Sequence, residues 1–139
     1  MMLNGNVELL KVIRIDLEEM VDENDFAAFD GLVDRANQIL RVLVDSKLLP
    51  RSVINMNTNK VLKEINNSES KVSEIIDLIM EIEEEDPKDE LLEELRDENL
   101  RKAEDKLKEN KGSLLILQIS NVVNHEIAIT NASNPGTSK

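Results

Sequence analysis

"SLLILQISNVVNHEIAIT", residues 113–130, decides whether this chain is all-α or carries a β-hairpin. Its β-branched content and the Asn-Val-Val-Asn interruption at 121–124 suit two short strands. Equally, Ile116, Ile119, Val123 and Ile127 recur at helical spacing behind Ser113, a good N-cap. The surroundings tip the choice. A lone hairpin is marginal in water, and everything upstream has a helical period, so a helix is the expected state.

Directly upstream, residues 87–111 read as a long, charged helix with a thin apolar stripe of Leu92, Leu95, Leu100, Ala103 and Leu107, ended by Gly112. Asp97 with Arg101, Glu98 with Lys102 and Glu104 with Lys108 stand in the favourable i, i+4 order, each pair contributing about 0.2–0.5 kcal/mol. Asp86-Pro87 is a restart signal: Asp accepts from first-turn amides, and Pro at the first helical position loses no hydrogen bond. Before it, a helix from about Ser70 turns Val72, Ile75, Ile76, Ile79 and Ile82 inward, with the polar run 66–70 separating it from a short helix over 53–65 that uses Val61, Leu62 and Ile65. Pro50 disfavours an α conformation at Leu49 and breaks the chain there.

Residues 24–47 have the strongest stripe: Phe26, Phe29, Val33, Ala36, Leu40 and Leu43, with Asn24 or Asp25 as N-cap and Gly31 as an ordinary surface glycine. The first helix spans 7–22 through Leu10, Ile13, Leu17 and Met20, capped by Asn4 or Asn6. The fold expected is therefore a single-domain, all-α bundle of five or six helices over residues 1–130, followed by a polar, disordered tail at 131–139.

Composition narrows function. A chain of 139 residues can bury a core without staples, and the absence of Cys removes disulfides, thiol catalysis and thiolate metal sites. Net charge is −12, and Phe26 and Phe29 are the only aromatic residues, which argues against direct nucleic-acid binding: both a phosphate-tracking basic surface and base-stacking faces are missing. No window approaches the ~20 apolar residues of a membrane helix, and no basic leader precedes the first helix, so a soluble protein of the cytoplasm or nucleus is expected, without membrane association.

Candidate chemistry is sparse. His125 is the single histidine and has no aligned nucleophile nearby. Asp22, Asn24 and Asp30 resemble the start of a calcium loop, but Ala27 stands at the sixth position and Val33 at the twelfth, where Gly and Glu are needed. Glu19 with Asp22 and Glu94 with Asp97 are Glu-x-x-Asp pairs that could hold two magnesium ions if the helix faces met, which is the runner-up reading: a metal-dependent, all-α nucleotide hydrolase. In so acidic a chain the solvated-face reading outweighs it, and no metal, cofactor or catalytic residue is expected.

Residues 83–86, Glu-Glu-Glu-Asp, are more informative. The three glutamates end a helix, where its dipole opposes negative charge, so local stability does not explain them. They suit a charge-complementary edge for a basic protein partner, although solvation alone would also keep them. The leucine seam of Leu92, Leu95, Leu100 and Leu107 suits self-association, since so narrow a stripe is better buried between two surfaces. A non-enzymatic interaction subunit or regulator is the favoured function.

Residues 40–82 resemble the helical N-terminal domain of S-II type transcription elongation factors, shared with the integrase-binding domain of chromatin tethers. The resemblance rests on Leu40 and Leu43 before a Leu49-Pro50-Arg51-Ser52 corner, on Thr58, Val61 and Leu62, and on Val72, Ile75 and Ile79. It covers under half of the chain and lacks the closing aromatic, Glu83 or Glu84 standing there. It implies docking of short disordered peptides.

Overall fold

The computed structural model describes residues 2–85 and 90–133. Among them are five helices and no strands: α1 (Met2–Glu23), α2 (Phe29–Asp45), α3 (Arg51–Ile54), α4 (Asn59–Glu85) and α5 (Glu90–Ser133). The all-α expectation holds, and residues 113–130 are helical. Contacts gather the chain into two compact units, one formed by residues up to Thr58 with those from Gly112 onward, the other by Asn59–Lys111.

The first unit holds a continuous aliphatic core. Val7, Leu10, Ile13 and Leu17 of α1 meet Phe29, Ala36, Leu40 and Leu43 of α2, and Leu115, Ile119, Val122 and Val123 of α5 close over them. Phe26 and Phe29 touch edge to face, ring centroids 5.7 Å apart, the favoured aromatic geometry. On α5 the buried face is rotated from the one expected: Leu115 and Val122 lie in the core, Ile116 only borders it, and Ile127 is exposed. The additional buried row belongs to a helix covered on more than one flank.

Several boundaries move, each for a local reason. The first helix begins at Met2, ahead of the proposed Asn4 and Asn6 caps. Asn24 adopts φ 53° and ends α1 in place of capping α2, with the Asp25 amide donating to the Met20 carbonyl and the Asn24 amide to Val21. That is a Schellman closure, for which Asn is among the better left-handed residues. Asp25 Oδ1 accepts from the Ala27 amide, so it organises the turn before α2, which starts only at Phe29. Lys47, at φ 61°, closes α2 in the same way, its amide donating to Val44 and that of Leu48 to Leu43.

The helix expected over 53–65 is replaced by the single turn α3 and, after Asn57 at φ 60°, by the start of α4. Buried Thr58 holds that corner by donating from Oγ1 to the Asn55 carbonyl at 2.7 Å. Nor does the run 66–70 interrupt anything: α4 passes through it, because Asn110 Nδ2 donates to Ser68 Oγ at 2.7 Å and Lys111 pairs with Glu69 at 3.9 Å. Tertiary partners override weak propensity there.

Gly112 is the clearest correction. The sequence places it as a helix terminator, yet α5 runs through it and through the proposed cap Ser113. A Cβ at Gly112 would come within 3.3 Å of Val21 Cγ2 and 3.4 Å of Phe29 Cε1, so the missing side chain leaves room for those two side chains against α5. Gly31 faces open space, as expected. Residues 131–133 of the expected tail continue α5, and 134–139 lie outside the described residues.

Candidate functional site

The second unit is a helical hairpin. Ser68 with Asn110, Glu69 with Lys111 and the Ile79 carbonyl with Arg96 fall on an antiparallel register of α4 and the N-terminal part of α5. Among its described apolar residues only Ile65 and Ala103 are fully buried. Val61, Val72, Ile75, Ile79 and Ile82 on α4, with Leu100 and Leu107 on α5, are half-buried. Two helices have no third surface with which to cover their stripes, and the remainder stays wet: Leu78 is 55%, Leu95 57% and Leu91 79% exposed.

This open face is a groove with two chemically different halves. At one end a cavity of about 210 Å³ is lined by Ile75, Leu78, Ile79, Ile82, Leu95, Arg96 and Asn99. At the other a cavity of about 400 Å³ is lined by Ser68, Lys71, Ile75, Asn99, Lys102, Ala103 and Lys106. Ile75 and Asn99 belong to both, so the apolar and cationic halves are contiguous. Lys102 and Lys106 lean on carboxylates of their own helix, Glu98 at 3.4 Å and Glu109 at 3.5 Å. Both pairs are exposed and weak enough to exchange partners.

The seam residues of the sequence fall in different places. Leu95 lines the groove, Leu100 and Leu107 are half-buried, and Leu92 lies on α5 with its side chain outside the described set. Glu83 is exposed on the last turn of α4, Glu84 and Glu85 complete that helix, and Asp86 lies outside the described residues. The groove's α4 wall and its lysines were not foreseen. The sequence pattern turns Ile75, Ile79 and Ile82 inward and gives Leu78 no place, although Leu78 and Ile82 stand at the same i, i+4 spacing as Ile75 and Ile79; Ile76, also expected inward, is 42% exposed.

Two polar side chains, buried Arg96 and half-buried Asn121, carry contacts that the sequence pattern does not signal. Arg96 is 8% exposed and donates to the Ile79 carbonyl at 3.5 Å, fixing the acidic end of the hairpin. In the first unit Asn121 Nδ2 donates to the carbonyls of Ile54 and Met56, both at 2.9 Å, satisfying the end of α3. The Asn-Val-Val-Asn interruption is thus a clamp within a helix.

The other candidates are distributed over both units. Glu19 and Asp22 are exposed on α1, Glu94 and Asp97 are exposed on α5, and they belong to different units. Glu19 shares an acidic cavity of about 340 Å³ with Asp16, Glu23 and Asp25. Among the described residues no three His, Asp or Glu side chains converge as metal ligands. Asn24 closes α1 and Asp30 sits in the first turn of α2, where the helix dipole favours it. His125 is half-buried on α5. No helix is long and apolar enough to cross a membrane among the described residues. Neither known protein families, nor curated proteins, nor solved structures give a match to this chain.

Proposed function

We propose that the chain is a non-enzymatic helical interaction subunit or regulator, and that its docking element is the open face of the α4/α5 hairpin. The observation that carries this reading is the contrast between an aliphatic stripe and its exposure: Leu78, Leu95 and Leu91 stand in water beside half-buried Ile75, Ile79 and Ile82. Exposed apolar surface that is contiguous and rimmed by charge is characteristic of an interaction site. The glutamates at 83–85 extend the same hairpin and would meet basic groups on whatever binds.

A photo-crosslinking residue placed at Leu78 or at Leu95 in the full chain tests it. Adducts containing a second polypeptide should form from both positions in the native source, and far fewer from Asn37 on the exposed surface of α2. Equal yields from all three positions, or none from Leu78 and Leu95, would remove the hairpin as the docking element.

A further inference from the structure

We infer that the occupant of the groove is a second copy of this chain, laid antiparallel so that two hairpins close into a four-helix bundle. This rests on the docking reading above and adds who the partner is and how it is oriented.

Charge complementarity along the hairpin carries the argument. Residues 59–71 and 101–111, which form one end, hold eight Lys or Arg and five Asp or Glu, whereas residues 72–100 hold two and thirteen. In a chain of net charge −12, the lysines have been gathered at one end of the one unit that lacks a covered core. A parallel pairing would set acidic end on acidic end; an antiparallel one sets Lys71, Lys102 and Lys106 of each copy over the other's carboxylates, twice by symmetry. A basic foreign partner would satisfy the acidic end alone and an acidic one the lysines alone. The second copy satisfies both.

Geometry agrees. Ile75 and Asn99, shared by both cavities, mark the middle of the face, and a two-fold axis passing there superposes each apolar half on the cationic half of the other copy. The aliphatic stems of the lysines then cover Leu78, Ile82 and Leu95 while their ammonium groups reach the rim. Helices of this length span roughly 33–40 Å at 1.5 Å per residue and are about 10 Å wide, offering on the order of 650 Å² per copy, near the ~800 Å² per partner of a stable complex. Asn99 on the axis would meet its own counterpart, a polar contact that fixes register in helical bundles.

Sedimentation equilibrium with charge-swapped chains tests the pairing. The wild type should be dimeric at tens of micromolar and dissociate at least tenfold more readily in high salt. K71E/K102E/K106E and E81K/E94K/E98K should each be monomeric with unchanged helix content, and their equimolar mixture should regain the dimer mass. The lack of cysteine allows a second readout independent of those variants: N99C should form an interchain disulfide on air oxidation, while E83C, far from the axis, should not. A monomeric wild type, a mixture that stays monomeric, or E83C linking as fast as N99C would overturn the inference. If the wild type is monomeric while Leu78 and Leu95 still crosslink a foreign protein, the docking reading survives alone; with neither, both fall.

Discussion

The two units use the same secondary structure and nearly the same aliphatic alphabet, yet one encloses a continuous buried cluster and the other does not, although Leu9, Val12 and Ile15 of the first are exposed too. Fifteen buried apolar residues from α1, α2, α3, the loops and the C-terminal part of α5 form one cluster in the first. In the second, two helices face each other, and only Ile65 and Ala103 reach full burial among the described residues. Helix number explains the difference: three or more helices can surround a stripe, whereas two leave one flank of each open. On the docking reading proposed above, stability and recognition are separated along one chain. The first unit is where substitutions should unfold the protein, and the second is where they should disconnect it.

Truncations break this comparison most strongly if it is wrong. Leu17→Ala and Phe29→Ala, at residues 0% and 1% exposed, should each cost about 3–5 kcal/mol in chemical denaturation. Leu78→Ala and Leu95→Ala should cost less than about 0.5 kcal/mol in the isolated monomer, since both are already more than half exposed. Equal losses at the four positions would mean that the hairpin face is core after all.

The glycines sharpen the contrast at intermediate size. Gly112→Leu pushes a side chain into Val21 and Phe29 and should destabilise by about 1–3 kcal/mol or more. Gly31→Ala meets nothing within 4 Å and should stabilise by up to about 1 kcal/mol through helix propensity alone. Thermal melts of the two variants moving in the same direction would contradict the packing described for Gly112.

The fold was largely legible in the sequence because helical period is strong: the stripes of α1 and α2 predicted Leu10, Ile13, Leu17, Phe29, Ala36, Leu40 and Leu43 as core, and all are buried. The errors cluster where punctuation residues were read without their tertiary partners. Gly112 and Ser113 looked like a stop and a start, and Asn66–Ser70 like a break, but α5 and α4 run on through them, with the Val21 and Phe29 side chains packed at Gly112 and Asn110 bonded to Ser68. Of the groove, Leu95 was visible. Lys71, Lys102 and Lys106 were not, because a cationic patch split between two helices 30 residues apart has no local signature in an acidic chain.

A smaller effect is expected from the glutamates that end α4. Replacing Glu83, Glu84 and Glu85 with Gln removes charge from the negative end of a helix dipole, so the melting temperature should be unchanged or slightly raised, while capture of the partner slows most at low salt. An unaltered association rate and salt slope would reduce this run to a solvated helix end.

Native-state hydrogen exchange tests most directly the division into a core that stands alone and a hairpin proposed to be completed by a second copy. Amides of α1, α2 and residues 115–123 should exchange only through global unfolding. Those of α4 and residues 90–107 should open separately, with protection lower by roughly 100-fold or more in dilute protein and rising with protein concentration as the face is covered. Uniform protection across both units, indifferent to concentration, would contradict the account.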